Sequence, residues 1–375
     1  MHNPKIAIDA SHFNESAFDG LNRYTGEILR AVDRQSGNFA IYTAAQEVSS
    51  QFPYRLRKIH SQTIYRNNFR GNFSRLLWHQ TVFRRSVRQN QICAVYSPVP
   101  EGMLFPVCPQ VITIHDLLPL FFPETYPRVK YYFQYILPKL VRASRAIVAV
   151  SEQTKKDIQR YFNCDRTPIH VVYQGYRSDI FNSHPQIEDR HVFGKYGLNR
   201  FILCVGETRP YKNIRRLIQA FAQLKTLNLE LAIVGKLSKI DTTLTDLPQQ
   251  LGIAEKVKFL GYVSDGDLAA LYRQATAFVF PSLYEGFGIP PLEAMACGCP
   301  VIASQVASLP EVCGDAACYI DPTDIESIAG GIYRVAIESE VQNRLRLQGL
   351  NRVKRFQDPD MFGQIRSILD ECLSV

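Results

Sequence analysis

The feature that most constrains this chain is a rhythm that runs through it twice. Short β-rich apolar runs at 5–9, 39–42, 92–96, 110–114, 146–150 and 170–173 alternate with helix-period patterns such as 21–32, 131–143 and 152–161. Runs that are apolar on both faces need cover on both sides of a sheet, and strand-helix-strand alternation supplies it by making the strands parallel. The rhythm starts afresh at 201–205, 229–235, 256–261, 276–280, 300–303 and 317–320, with helical patterns at 211–225, 265–274, 290–297 and 323–337. A length of 375 residues suits two such units. We expect an α/β chain with a first domain over 1–176, a polar, aperiodic linker over 177–192 and a second domain over 193–357. The last helical pattern, 360–373, follows another helical stretch (341–355) with no strand between them, so the segment 358–375 is free to pack away from the second sheet. Two open α/β sheets in tandem imply a cleft, and their ligands gather beyond the carboxyl ends of the strands.

Composition narrows the function classes. With 46% hydrophobic and 21% charged residues the chain is neither disordered nor fibrous, and no stretch approaches the roughly 18 uninterrupted apolar residues of a membrane span. Its first residues run directly into a strand pattern without the shape of an export signal, and its nine cysteines hold no C-x-x-C; both point to a cytoplasmic address. The net charge of +8 belongs to the first half, which carries 24 bases against 15 acids in residues 1–190, while 191–375 carries 19 against 20. Between Val48 and Pro100 no acid occurs and nine bases do: Arg55, Arg57, Lys58, Arg66, Arg70, Arg75, Arg84, Arg85 and Arg88. Interleaved aromatics make that region a candidate for anionic lipid headgroups, a phosphorylated acceptor or nucleic acid.

Residues suited to chemistry follow two strands of the second set. After 201–205, Gly206-Glu207-Thr208-Arg209-Pro210-Tyr211-Lys212-Asn213 leads into a helical pattern. Arg209 and Lys212 are cations at a helix start, where they oppose the macrodipole; a diphosphate there would relieve the conflict and use the free backbone N–H groups. After 276–280, Gly286, Phe287 and Gly288 form a loop whose glycines let backbone approach a ligand, and Pro290 and Gly298 bracket a short helix. Glu285 precedes that helix and Glu293 falls near its first turn. They are the sole ionisable side chains in the 25 residues 277–301. A carboxylate that accepts from two vicinal hydroxyls holds a ribose, which suits Glu293, while Glu285 is placed to meet a sugar ring. His115, at the carboxyl end of 110–114 and followed by Asp116, is a candidate in the first domain.

These residues carry a resemblance. The E-x7-E spacing of Glu285 and Glu293, with Gly206-x-x-Arg209-x-x-Lys212-Asn213 upstream, resembles the retaining GT-B glycosyltransferases of family 4, and the likeness continues through Pro300-Val301-Ile302-Ala303-Ser304 and Leu309-Pro310-Glu311 to Asp321-Pro322. In the first half, Asp19-Gly20-Leu21-Asn22-Arg23-Tyr24, Thr113-Ile114-His115-Asp116 and Val150-Ser151-Glu152 also look like that family. The resemblance implies two Rossmann-like domains facing a cleft, with the C-terminal helix returning to the N-terminal domain. It implies that Arg209, Lys212, Gly286, Phe287 and Gly288 bind the donor diphosphate and that Glu293 binds the ribose. Glu285 would contact the transferred sugar, His115 would orient that sugar or the acceptor, and Asp116 and Arg23 would bind sugar or acceptor. Gly20 would face the diphosphate from the first domain, although the family often has two glycines where this chain has Asp19-Gly20.

The implied reaction moves a hexose, with retention of configuration, from a UDP-sugar or GDP-mannose to a saccharide or lipid-diphosphate-linked acceptor in polysaccharide or glycoconjugate synthesis. UDP stands slightly ahead among the donors, no cofactor is called for, and the basic stretch 48–100 would touch the inner face of a membrane rather than nucleic acid. No metal is expected. Asp265-Gly266-Asp267 and Asp358-Pro359-Asp360 read as helix caps, Cys297-x-Cys299 lacks partner ligands, and no P-loop occurs. The alternatives are a nucleotide-sugar epimerase of the same fold and a polyanion-binding protein.

Overall fold

The computed structural model describes residues 5–14, 20–34, 37–45, 56–58, 69–164, 166–186, 188–238, 240–357 and 359–374. The described chain divides into two compact units: residues 1–174 together with 360–375, and residues 175–359.

The first unit is built on a parallel sheet of β1 (Lys5–Ala10), β2 (Asn38–Thr43), β3 (Leu56–Lys58), β4 (Ala94–Ser97), β5 (Gln110–Ile114), β6 (Ala146–Ala149) and β7 (Ile169–Val171), in the order β3-β2-β1-β4-β5-β6-β7. The period-two alternation of β1 sorts its side chains to opposite faces. Ile6 and Ile8 pack with Tyr24, Ile28 and Val32 of helix Gly20–Arg34, while Ala7 packs with Trp78, Phe83 and Val87 on the other side. The C-terminal helix Met361–Leu373 lies on the Ile6/Ile8 face and buries Phe362, Ile365 and Leu369. The chain thus comes back to its first unit, as the resemblance implied. Asp360 caps that helix by accepting from the Gly363 N–H at 2.8 Å.

The second unit carries β8 (Phe201–Val205), β9 (Glu230–Val234), β10 (Val257–Gly261), β11 (Ala277–Phe280), β12 (Val301–Ser304) and β13 (Ala317–Ile320), in the parallel order β10-β9-β8-β11-β12-β13. Its core joins Ile202, Ile233 and Val279 of the sheet to Leu217 and Phe221 of helix Ile214–Ala222 and to Ile328, Ile332 and Val335 of helix Ile325–Ile337. In each sheet the strand order reverses once, between β1 and β4 and between β8 and β11, and ligands of open α/β sheets gather at such points.

Three expectations need correction. Residues 177–192 are no linker: Phe181 is fully buried against Tyr272, Asp189 accepts from Arg273 Nε at 2.7 Å, and Glu188 opens the helix Glu188–Tyr196. The segment is polar because it is held by ion pairs within the second unit. The helix expected over 211–225 is a 3-10 turn, Pro210–Lys212, followed by an α-helix from Ile214. Arg75, counted among the surface bases, is buried and forked onto Glu101 at 2.8 Å. Of the basic stretch, Arg55 and Arg66 lie outside the described residues, and Arg84, Arg85 and Arg88 are exposed.

Candidate active site

The reversal point of the second sheet gathers the charged residues that the sequence singled out. Beyond β8 the chain turns through Gly206 and Arg209 to Lys212; beyond β11 it runs through Pro281 to the loop 285–288. Lys212 Nζ donates to Glu285 Oε1 at 2.6 Å, and both side chains are mostly buried (16% and 12% exposed). The ammonium also lies 5.0 Å from the Phe280 ring centroid and 5.4 Å from that of Tyr211, so apolar walls sharpen the field of the pair. Arg209 is more exposed and donates from Nε to Glu207 at 2.8 Å. The structure therefore joins Lys212 to Glu285 directly and gives Arg209 a different carboxylate.

Asn213 locks this arrangement. It sits in the left-handed region (φ 61°), which asparagine tolerates better than most residues, and its buried Nδ2 donates to the carbonyls of Pro281 (3.0 Å) and Pro322 (2.6 Å). One side chain thus ties together the loops that follow β8, β11 and β13. Ser308, also buried, shares its hydroxyl proton between the carbonyls of Glu285 (2.9 Å) and Phe287 (2.7 Å) and holds the glycine loop from below. Gly288 has φ 105°, a conformation strained for any residue with a Cβ, and leads into helix Ile289–Ala296 with Pro290 and Pro291 in its first turn. Gly235, after β9, is a second required glycine: a Cβ there would collide with the Gly206 carbonyl.

Glu293 lies in the second turn of its helix rather than the first, so a helix-dipole contact does not account for it. It is 3% exposed, and Tyr272 donates to it at 3.4 Å. Burial and this neighbouring carboxylate hold the Tyr272 phenol well above its ordinary range, so it remains a donor at neutral pH.

In the first unit, His115 follows β5 and donates from Nε2 to the Pro98 carbonyl at 2.8 Å. Nδ1 is left to accept from the Gln174 amide at 3.3 Å, and Tyr24 meets the ring edge to face at 4.7 Å. Burial pushes its pKa down to about 4, so the ring is neutral at physiological pH. Asp116 accepts from the Leu118 N–H at 2.9 Å and starts helix Leu118–Phe121. Arg23 is half-buried within helix Gly20–Arg34. Gly20 opens that helix with open space around the position of a Cβ, and Asp19 lies outside the described residues.

Two buried ion pairs escaped sequence reasoning. Asp9, near the end of β1, accepts from His79 at 2.6 Å, and Glu101, beyond β4, holds Arg75. The one signal was an acid closing an otherwise apolar strand. Burial opposes the charge on Asp9 and His79, yet each partner's charge and hydrogen bond prevail, holding Asp9 below and His79 above its ordinary pKa. These pairs border a groove of about 830 Å³ in the first unit, lined by His12, Arg75, His79 and Glu101 and by Phe73, Leu76, Tyr131 and Tyr135 among others.

The D-x-D pairs behave as caps where described. Ser264 accepts from the Asp267 N–H at 3.1 Å, and Asp267 accepts from Lys195 (2.6 Å) and Tyr196 (2.9 Å). Asp358 lies outside the described residues. Among the described residues no group of three potential metal ligands occurs, no helix is long and apolar enough to cross a membrane, and the nine cysteines are free thiols.

Comparison with known proteins gives this architecture its class. Sucrose-phosphate synthase from Thermosynechococcus elongatus superposes with a TM-score of 0.80 over 99% of both chains at 18% identity. Anabaena HepE, solved with UDP and glucose, gives 0.73 over 98% of this chain and all of that one, also at 18% identity. The fold is that of the GT-B glycosyltransferases. Residues 185–352 match the family model described as glycosyl transferases group 1, residues 18–179 match glycosyltransferase family 4, and the chain belongs to this family. Among curated relatives, O-antigen chain mannosyltransferase B of Escherichia coli is 35% identical over 252 residues, which cover 66% of each chain. O-antigen chain mannosyltransferase RfbU of Salmonella typhimurium is 32% identical over 226 residues, 60% of each. The match thus spans just under two thirds of these relatives.

Proposed function

We propose that this chain transfers a hexosyl group, with retention of configuration, from a nucleotide-diphosphate sugar to a saccharide or lipid-linked saccharide acceptor in O-antigen or related polysaccharide synthesis. The observation that carries the reading is the Lys212–Glu285 pair at the reversal point of the second sheet, a nearly buried cation kept in place by a carboxylate. Breaking a sugar–phosphate bond builds negative charge on the departing diphosphate, and Lys212, with Arg209, supplies fixed positive charge where that develops. Glu285 holds the ammonium in the unliganded chain and is released toward the transferred sugar when phosphate oxygens take its place. The amides of Gly286, Phe287 and Gly288 accompany the diphosphate, and Glu293 takes the ribose hydroxyls. A front-face route, in which the departing phosphate oxygen helps to deprotonate the acceptor hydroxyl, suits a site where Glu285 is occupied by its lysine.

The first unit is assigned the acceptor, through Asp116 and Arg23, with Gly20 turned to the diphosphate. His115, neutral and bonded to Pro98, acts by positioning the 98–101 turn rather than as a base. Because the two curated relatives are named for mannosyl transfer, the mannose donor of the two left open by the sequence now takes precedence over a UDP-hexose. The exposed Arg84, Arg85 and Arg88 support peripheral contact with an anionic bilayer, on its cytoplasmic face. Melting the purified chain with GDP-mannose, UDP-glucose, UDP-galactose and ADP-glucose tests the reading: one nucleotide sugar should raise the midpoint, and its transfer to an acceptor should follow. A chain stabilised by none of them would refute it.

A further inference from the structure

The groove in the first unit has two chemistries arranged in order. At its floor, beside the reversal point of the first sheet, stand the buried hydrogen-bonding groups Arg75, His79 and Glu101, with Tyr132 donating to the Pro100 carbonyl at 2.7 Å. Its walls are hydrocarbon and aromatic: Phe73 and Leu76 from one helical segment, Val129, Tyr131, Tyr135 and Ile136 from another. Phe73, Tyr131 and Tyr135 are each more than half exposed, and the two tyrosine rings lie parallel within 5°, their centroids 6.4 Å apart. Each wall contains a π-helical turn, His79–Phe83 in one and Tyr132–Ile136 in the other, a device found mostly at functional sites. Large apolar groups left in water around a concavity mark a ligand surface, and about 830 Å³ is more than one sugar ring fills. The rim has one sign: from 125 to 151 the sequence carries Arg128, Lys130, Lys139, Arg142 and Arg145 and no acid.

We infer that this groove holds an acceptor sugar together with the hydrocarbon carrier to which it is attached, the sugar hydroxyls on the charged floor and the carrier along the Tyr131–Tyr135 wall. The basic rim fits a phosphate linkage between them. The inference rests on the transfer reading above and adds to it the amphiphilic class of the acceptor. Hydroxyls satisfy polar groups that an alkyl chain would leave unpaired, whereas the tyrosine wall gains by covering apolar surface; this sets the direction in which the amphiphile lies.

The probes are methyl and n-octyl α-D-mannopyranoside, the latter below its micellar concentration, titrated calorimetrically into the full chain and then offered as acceptors with the donor identified above. One buried methylene is worth about fourfold in affinity, so the burial of three or four of the added methylenes predicts octyl binding on the order of 10²-fold tighter than methyl. Y131A/Y135A, which removes exposed side chains and spares the core, should erase at least tenfold of that preference while the melting point and nucleotide-sugar binding stay as in the parent. Equal affinities for the two mannosides would overturn the inference, as would an octyl preference that survives Y131A/Y135A. The two readings fail separately. A tyrosine-dependent octyl preference in a chain that binds no nucleotide sugar sinks the transfer reading and leaves the groove; transfer without chain-length dependence sinks the groove alone.

Discussion

Replacing Lys212 by methionine removes one charge and keeps most of the volume between Tyr211 and Phe280, and the surroundings dictate two separate effects. The first is on stability. Glu285, 12% exposed, loses its partner at 2.6 Å and is left as a mostly buried carboxylate. That costs about 1–3 kcal/mol, short of the ~3–5 kcal/mol of a fully buried broken pair. At about 2–4 °C per kcal/mol for a unit of this size, the melting point should fall by about 2–10 °C. The second is on turnover. A charge-assisted contact to the leaving diphosphate is worth about 1.5–3 kcal/mol, which at about 1.36 kcal/mol per decade predicts a loss of about 10- to 150-fold in kcat/KM. The double variant K212M/E285Q separates the two: neutralising the orphaned carboxylate should restore most of the melting point and none of the turnover. Steady-state transfer and thermal denaturation of the parent, K212M, E285Q and the double variant make the comparison. If K212M kept turnover within about threefold of the parent, or if the double variant regained it, the diphosphate role of this lysine would be wrong.

The buried Asp9–His79 pair sets a pH dependence for the first unit. His79 is held above its ordinary value of 6.5, so its contribution is full below 6.5 and fades as pH rises through the folded value; Asp9 is held below 3.8, so its contribution is full above 3.8 and fades as pH falls through its folded value. The stability gap between the parent and D9N/H79Q should therefore be widest between about pH 4 and 6.5 and narrow toward pH 9; urea titrations that show a gap growing with alkalinity would contradict the pair. His115, with its pKa near 4, should give ring resonances that do not move between pH 8 and 5.5 in NMR titration, and a midpoint near 6.5 would show an unburied ring. N213G keeps the left-handed backbone and loses two hydrogen bonds, so it should cost about 1–3 kcal/mol, and N213A should cost about 1 kcal/mol more for the strained φ; equal melting points for N213G and the parent would remove its bracing role. G235A should lower both the melting point and nucleotide-sugar binding, because the Gly206 backbone must move; unaltered binding would separate that contact from the site.

The sheets were legible because their strands are short apolar runs. The strands at 110–114, 201–205 and 317–320 coincide with the sequence reading, and the others differ by one or two residues at the ends. β3 was not legible, since Leu56–Lys58 is three residues with two bases inside a basic stretch and pairs only with β2. The segment 177–192 misled because local polarity cannot distinguish a solvated connection from one whose charges meet partners far along the chain, as Asp189 meets Arg273. The same limit hid Arg75–Glu101, which turned a base counted on the surface into a buried one. At the candidate site, Lys212, Arg209, Glu285 and Glu293 stood out as rare charges beside glycine and proline after strands. Their pairing did not, because Lys212 and Glu285 are 73 residues apart. Asn213 and Ser308 carry no charge, and their importance arises from carbonyls that only the folded backbone brings within reach.

The return of Met361–Leu373 to the β1 face has a consequence for how the protein is made. The ribosome releases the first 174 residues long before the helix that completes their core, so during synthesis Ile6 and Ile8 wait beside an open seat while the intervening 185 residues emerge and fold. A stop codon a few residues before the natural end would spare the second unit entirely and expose the interior of the first. Nascent chains stalled at that length should therefore recruit chaperones through their amino-terminal half.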